Sequence, residues 1–337
     1  MHLSRFPRVK LAHLPTPLEP MKNLSKALGG PNLWIKRDDC TGLSTGGNKT
    51  RKLEFLMGDA LEKGADTIVT QGATQTNHGR QTAAACAVIG GLECHILLER
   101  RATVNDFGED YEKQGNVLIN ELYGANLSFH ETGQDMNALG LQYTDELCKK
   151  GKKAYFIPGG GSNAIGALGY VDCSTEILYQ ANKMRLKIDH IVHGTGSSGT
   201  QGGLVAGIYG GGSRIPVTGI SVKAPKDAQT EAVYKTACAT AELIGLPGTV
   251  TREDINVDDG YTGPGYGFPD EGTLEAIQLC ARNESILLDP VYSGKGMAGL
   301  IGMIRAGRFN KDDNVVFLHT GGSLALFAYQ QTLSTIK

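Results

Sequence analysis

Thr41-Gly42-Leu43-Ser44-Thr45-Gly46-Gly47-Asn48-Lys49-Thr50-Arg51-Lys52 is the stretch on which the reading of this chain turns. An apolar run, Leu33-Trp34-Ile35-Lys36-Arg37, enters it as a strand, and a helix-patterned run, Lys52-Leu53-Glu54-Phe55-Leu56-Met57, leaves it. A glycine-rich turn therefore delivers one lysine to the start of a helix. Glycines let a backbone pass close to a ligand, and a helix start offers free N–H groups and a positive dipole end. Like charge and desolvation both disfavour an ammonium there, which makes Lys49 a candidate neutral amine, able to form a Schiff base with an aldehyde. A nucleotide phosphate loop is the rival, but that motif needs Gly-Lys-Ser/Thr without interruption, and Asn48 separates Gly47 from Lys49. An exposed lysine on a surface turn is the third reading of the stretch taken alone.

Outward from this turn, strands alternate with helical patterns. After a loop holding Pro15, Pro17 and Pro20, strands are predicted at 33–37, 67–70, 95–98, 127–129, 154–157, 188–193, 215–222 and 315–318. Helices are predicted near 77–89, 109–123, 136–149, 164–182, 199–208, 227–243, 271–283 and 293–306, with a loop rich in Gly, Tyr and Pro at 259–269. Near-continuous apolar strands in repeated strand–helix units imply parallel sheets covered on both faces. Ligands bind such sheets at the carboxyl ends of the strands. That is where the turns Gly159-Gly160-Gly161-Ser162-Asn163, Gly194 to Thr200 and Thr320-Gly321-Gly322 fall, so they and the lysine turn can share one cleft.

The chain has 337 residues and a net charge of −2. The length is ample for one large α/β unit or two domains, and the balanced charge gives no pull toward nucleic acid or an anionic membrane. No run approaches the ~18 apolar residues of a membrane span. The N-terminus lacks an apolar signal core. Seven cysteines (Cys40, Cys86, Cys94, Cys148, Cys173, Cys238 and Cys280) form no Cys-x-x-Cys pair. They are expected to be reduced thiols of a cytoplasmic protein, with Cys40, beside the glycine turn, the candidate reactive one. No metal site is expected.

Gly194-Thr195-Gly196-Ser197-Ser198-Gly199-Thr200-Gln201-Gly202-Gly203 is the second strong signal. Following a strand and opening a helix, it supplies hydroxyls and bare N–H groups, a cup for a phosphate dianion. Gly194, Gly196 and Gly199 also satisfy the dinucleotide fingerprint. The acid that should follow about 20 residues on to bind a ribose is missing from 214–222, so a single phosphate is favoured. One Schiff-base lysine plus one phosphate cup implies pyridoxal phosphate. A dinucleotide-dependent enzyme and a cofactor-binding protein without turnover stay open as rival classes.

At this point the chain resembles the fold-type II pyridoxal-phosphate enzymes, in the group that holds 1-aminocyclopropane-1-carboxylate deaminase, D-cysteine desulfhydrase and L-cysteate sulfo-lyase. The resemblance runs from Arg5-Phe6-Pro7 to His319-Thr320-Gly321-Gly322. It rests on Lys36-Arg37-Asp38-Asp39, Gly46 to Glu54, Thr76-Asn77-His78-Gly79-Arg80-Gln81, Gly265-Tyr266-Gly267 and Asp289-Pro290-Val291-Tyr292. It implies an α/β fold like that of the tryptophan synthase β chain, with the cofactor in the cleft between two parallel-sheet domains. The larger is expected to be 1–52 with 164–337, the smaller 53–163. It also implies a homodimer.

Carried onto these positions, the resemblance implies that Lys49 holds the cofactor and that Asn77 bonds its phenolic oxygen. Gly196, Ser197, Ser198, Gly199 and Thr200 would hold its phosphate, with Asn48, Ser293 and Thr320 also against the cofactor. Thr76, where the family usually has Ser, would face the substrate carboxylate. Thr76 and Asn77 are also both good helix N-caps. Tyr266 and Tyr292 are candidates to steer substrate or shuttle protons. Where the deaminase resemblance would want Glu and Leu, this chain has Ser293 and Thr320. A hydroxyl in place of a carboxylate weakens the electron sink, which favours expulsion of a β-substituent over ring opening. The opening His2 to Pro7, the run Leu33 to Gly47 and Val222-Lys223-Ala224-Pro225-Lys226 look most similar to L-cysteate sulfo-lyase. Freed Lys49 would take the α-proton; sulfite, or hydrogen sulfide from D-cysteine, would leave, and the product would hydrolyse to pyruvate and ammonia. A sulfonate wants extra donors, for which Ser44, Thr45, His78, Arg80 and Lys223 are candidates.

Overall fold

A computed structural model describes residues 2–334. Ten strands are present among them: β1 (Leu18–Pro20), β2 (Asn32–Arg37), β3 (Thr67–Ala73), β4 (Glu93–Arg100), β5 (Asn126–Glu131), β6 (Ala154–Ile157), β7 (His190–Thr195), β8 (Val217–Ser221), β9 (Asn256–Asp258) and β10 (Asn314–His319). They form a six-stranded sheet in the order β1-β2-β10-β7-β8-β9 and a four-stranded sheet in the order β5-β4-β3-β6. All pairings are parallel except β1 with β2. The smaller sheet is thus built from chain inserted between β2 and β7.

The alternation of side chains along a strand places a separate core on each face of the larger sheet. On β10, Val316 and Leu318 pack with Ile191 and Val217 against the helices Ala164–Met184, Gly199–Gly210 and Lys226–Leu243. Val315 and Phe317 pack with Leu33, Ile35 and Val192 on the opposite face, under the helices Glu271–Glu284 and Ser293–Arg305. The smaller sheet repeats the plan. Ile68, Ile96 and Leu98 meet Leu53, Leu56 and Met57 on one face, while Val69 and Leu97 meet Met136 and Leu147 on the other.

Two predicted elements differ, and one short strand was not predicted. The Pro15–Pro20 loop contributes β1, the antiparallel edge strand, ending at Pro20; proline is tolerated on an edge because it needs no ladder donor there. The single helix expected over 109–123 is a 3₁₀ turn, Glu109–Glu112, and a separate helix, Asn116–Leu122. Gly115, at φ +60°, breaks them apart. The short β9 carried no periodic signal.

Candidate active site

Lys49 sits in the first turn of the helix Asn48–Glu62, at the carboxyl end of β2. Its approach is fixed by backbone packed on backbone. Gly46 has φ +83°, and a Cβ there would lie 1.9 Å from the carbonyl oxygen of Asp39. A Cβ on Gly321, φ +82°, would lie 2.8 Å from Gly47 Cα. Only glycine fits either place. The Thr41 hydroxyl accepts from Gly47 N (2.8 Å) and donates to Gly47 O (2.9 Å), and Asn48 N donates to Thr320 O (3.0 Å). Two residues beyond Lys49, Arg51 holds the helix to the body of the protein. Its Nε and Nη2 donate to Asp38 (2.8 and 2.9 Å), and Nη1 and Nη2 donate to Glu176 (3.1 and 3.0 Å).

The strand ends converge on one cavity of about 230 Å³. Lys49 and Asn48 line it from β2, Gln71, Thr76, Asn77 and His78 from β3, Arg101 from β4, and Gly160 from β6. The larger sheet adds Gly196, Ser197 and Thr200 after β7, Lys223 after β8, and Thr320 after β10, while Tyr266 and Tyr292 close the wall. The lysine turn and the serine-rich cup are therefore neighbours, and Asn48 Nδ2 donates to Thr200 Oγ1 at 3.0 Å.

Burial pushes the Lys49 ammonium down to about 8, with Asp289 opposing. A larger fraction of the amine is thus neutral near physiological pH than for an exposed lysine. Lys52, one turn on, is also fully buried. Its Nζ donates to Gly160 O (3.0 Å) and Ser162 Oγ (3.4 Å), and burial, then the Lys49 charge, holds it well below the ordinary lysine value. His78 is lowered by burial and then by both lysines, so its ring is neutral. It shares a hydrogen bond with Thr70 Oγ1 through Nε2 at 2.9 Å.

The two candidate N-caps divide the work. Thr76 is the cap of the helix Asn77–Ile89 and accepts from Gly79 N at 3.1 Å. Asn77 is left with its amide toward the cavity: Oδ1 accepts from Arg80 Nη1 (3.2 Å) and Asn116 Nδ2 (3.0 Å). With the oxygen doubly engaged, Nδ2 is the group available to donate. Tyr266 and Tyr292 share a hydrogen bond of 2.7 Å between their hydroxyls, and burial raises both phenols above their ordinary value.

Several expected site residues lie off the cavity. Ser44 and Thr45 are in a 3₁₀ turn with left-handed φ of 48° and 63°, and neither lines the cavity. Arg80 is buried behind Asn77, and its Nη2 donates to Gly46 O at 2.8 Å. Ser198 bonds Thr236 Oγ1 at 2.6 Å, and Gly199 N donates to Ser162 Oγ at 3.1 Å, so those two groups are already engaged. Ser293 is fully buried, its hydroxyl donating to Asp289 Oδ1 at 2.6 Å. The Asp289 carboxylate also receives the amides of Val291, Tyr292 and Ser293 (3.0, 2.9 and 2.7 Å), and so sets the backbone that carries Tyr292. Cys40 is largely exposed, yet the partial desolvation of its thiol and then Asp39 push it up, which disfavours the thiolate.

Sequence reasoning passed over Arg101, Lys52 and Gln71. Arg101 directly follows β4, so the strand-end rule already used for the glycine turns would have flagged it.

The donor set suits pyridoxal phosphate: a buried amine for its aldehyde, an amide N–H beside it, and hydroxyls with helix-start amides for its phosphate. Fold and cavity together define a vitamin B6 enzyme of the two-sheet type. A family model described as "Pyridoxal-phosphate dependent enzyme" matches residues 9–321, and the chain belongs to that family. It is 42% identical to a D-cysteine desulfhydrase of Salmonella typhi over 328 residues, covering 97% of this chain and 98% of that one. It is equally 42% identical to a 1-aminocyclopropane-1-carboxylate deaminase of Ralstonia pickettii (strain 12J) over 334 residues, 98% of each chain. A crystal structure of an ACC deaminase homologue superposes with a TM-score of 0.89 at 34% identity, covering 100% of both chains. A hydrogen sulfide-producing enzyme of Fusobacterium nucleatum shares the fold, with a TM-score of 0.64 at 17% identity over 92% of this chain and 96% of that one. The protein is a pyridoxal-phosphate-dependent lyase of the deaminase and desulfhydrase type. Among the described residues no helix is long and apolar enough to cross a membrane.

Proposed function

We propose that this lyase catalyses β-elimination, releasing sulfite from L-cysteate to give pyruvate and ammonia. The observation that carries elimination over ring opening is Ser293. A hydroxyl stands there where the deaminase resemblance would want a carboxylate; buried off the cavity with its proton donated to Asp289, it offers the cofactor no carboxylate, which leaves a weaker electron sink. Cysteate is favoured over D-cysteine because the segment Val222 to Lys226, which looks like that of the sulfo-lyases, delivers Lys223 to the cavity wall. D-Cysteine desulfhydration is the second reading, supported by the Salmonella relative.

Pyridoxal phosphate, when bound, supplies the electron sink that makes the substrate's α-proton removable. Lys49, with its depressed affinity for protons, takes that proton. The C–H electron pair becomes the second bond between the α- and β-carbons, and the C–S pair leaves with sulfite. Water then converts the released enamine to pyruvate and ammonia. Asn77 would bond the cofactor's phenolic oxygen, Ser197 and Thr200 would hold its phosphate, and Thr76 with the amides that follow it would receive the substrate carboxylate. The same reading takes 1–52 with 164–337 as the larger domain and 53–163 as the smaller, in a cytoplasmic homodimer serving sulfonate breakdown. The test offers L-cysteate, D-cysteine and 1-aminocyclopropane-1-carboxylate in parallel. Sulfite from cysteate is expected. Hydrogen sulfide from D-cysteine alone moves the assignment to desulfhydration, and 2-oxobutyrate from the cyclopropane refutes the argument from Ser293.

A further inference from the structure

Across the cavity, two cations face the substrate space from different sheets. Arg101 follows β4 of the smaller sheet and Lys223 follows β8 of the larger, and both line the cavity. Arg101 is fixed on two sides. Its Nε donates to Glu99 Oε2 at 2.5 Å, and its guanidinium lies over the Tyr266 ring, 4.9 Å from the centroid. Among the described residues its terminal nitrogens make no other hydrogen bond, and Lys223 makes neither a hydrogen bond nor an ion pair. Glu99, the acid at this wall, is already committed: its second oxygen accepts from Thr132 Oγ1 (3.4 Å) and Gly133 N (3.3 Å). Among the described residues no aspartate or glutamate lines the cavity. The wall thus carries two positive groups against one engaged carboxylate. The repulsion is felt, since burial and then Arg101 lower the Lys223 ammonium.

An anion between the two cations would relieve that repulsion. The forked guanidinium and the ammonium match an ion with several acceptor oxygens on one centre better than a single thiol sulfur. We propose that Arg101 and Lys223 form a subsite for the anionic, oxygen-rich β-substituent of the substrate, of the sulfonate class, and that this pair sets preference for it over an uncharged β-substituent. The inference rests on the elimination reading above and names the residues that choose its substrate. It replaces Ser44, Thr45 and Arg80, which the structure places off the cavity. When the C–S bond breaks, the sulfur group gains a second negative charge, so the pair also stabilises the departing sulfite.

The holoenzyme and its Lys223→Met and Arg101→Gln variants test this in two assays. Calorimetric binding of 3-sulfopropanoate, which has the carboxylate and the sulfonate but no amine to react, is expected to weaken about tenfold to a hundredfold in each variant, as for loss of a charged hydrogen bond. In turnover, the loss of kcat/KM on L-cysteate should exceed the loss on 3-chloro-L-alanine, whose β-substituent is neutral, by at least about tenfold. Lys223→Met keeps the test clear of folding, because that side chain stands partly in solvent and makes neither a hydrogen bond nor an ion pair, and Arg101→Lys should recover part of the binding. Unchanged 3-sulfopropanoate affinity in both variants, or equal losses on the two turnover substrates, overturns the subsite. Sulfite release by the wild type with unchanged binding in the variants sinks the subsite alone. Binding lost in the variants while the wild type makes no sulfite keeps the subsite and sinks the elimination reading.

Discussion

Arg51→Met removes the cation, two residues past Lys49, that lies between the buried Asp38 and the partly buried Glu176. Asp38 is fully buried and accepts two hydrogen bonds from Arg51 and one each from Thr16 Oγ1 (2.8 Å), Tyr170 Oη (2.7 Å) and, more weakly, Cys173 Sγ (3.8 Å). The variant loses the two charged bonds to Asp38 and the two to Glu176. Lys36 remains, ion-paired with Glu176 and only a nearby charge for Asp38. Breaking a buried pair from one side costs about 3–5 kcal/mol, because a desolvated charge is left uncompensated. The pH dependence gives the sharper test. In the wild type, burial would raise Asp38, but Arg51 outweighs it and holds the carboxyl below its ordinary value. Glu176 is likewise lowered. A depressed carboxylate contributes stability above its unfolded value, near 4, and loses it as pH falls through the folded value. Without Arg51, burial dominates and Asp38 takes up a proton at higher pH, which cancels the uncompensated charge. Urea unfolding followed by circular dichroism should therefore show a large gap between wild type and variant at pH 8 that narrows toward pH 5. A loss under about 1 kcal/mol at both pH values, within the range of ordinary surface pairs, would refute the argument, as would a gap that does not narrow. Asp38→Asn in the Arg51→Met background should recover part of the loss.

Lys49→Ala should abolish turnover and the visible absorption of the loaded enzyme while leaving the far-ultraviolet circular dichroism unchanged; a coloured, active variant would remove Lys49 from the chemistry. Gly321→Ala, which forces a Cβ toward Gly47 Cα at positive φ, should cost about 1–3 kcal/mol, read as a lowered Tm together with lowered activity. Tyr292→Phe breaks the 2.7 Å contact with Tyr266; if that hydroxyl transfers a proton, kcat falls by about 10²–10⁴, and a change confined to KM assigns it to steering instead. Lys295→Met leaves the carbonyls of Thr262 and Gly265 without the ammonium that now binds both, which should cost about 1–3 kcal/mol per unpaired group if they stay dry and expose the 259–269 loop to proteolysis.

The parts of this protein legible in its sequence are those with a local cause. Most strands are nearly unbroken apolar runs, and every glycine turn singled out falls where one of them stops, after β2, β6, β7 or β10, so both the parallel sheets and the convergence at their carboxyl ends could be read directly. Lys49 was found because its neighbours fix both its backbone and its environment. Contacts made across the fold left no such trace. Ser44 and Thr45 stand next to the lysine turn in sequence, yet left-handed backbone angles carry them off the cavity. Arg80 looked like an anion ligand on a helix start, but it packs behind Asn77 and fixes that amide. Arg101 and Lys223 are 122 positions apart and share a wall only because two sheets face one another.

The interlocked glycines beneath Lys49 have a consequence for how such a protein can change. Gly46 and Gly321 have backbone where an added methyl group would sit, and Gly47 has the Gln81 amide, so the floor that presents the amine tolerates little variation. The wall where Arg101 and Lys223 stand is partly open to solvent. New substrates can therefore be acquired by repainting that wall, with the reactive floor inherited untouched.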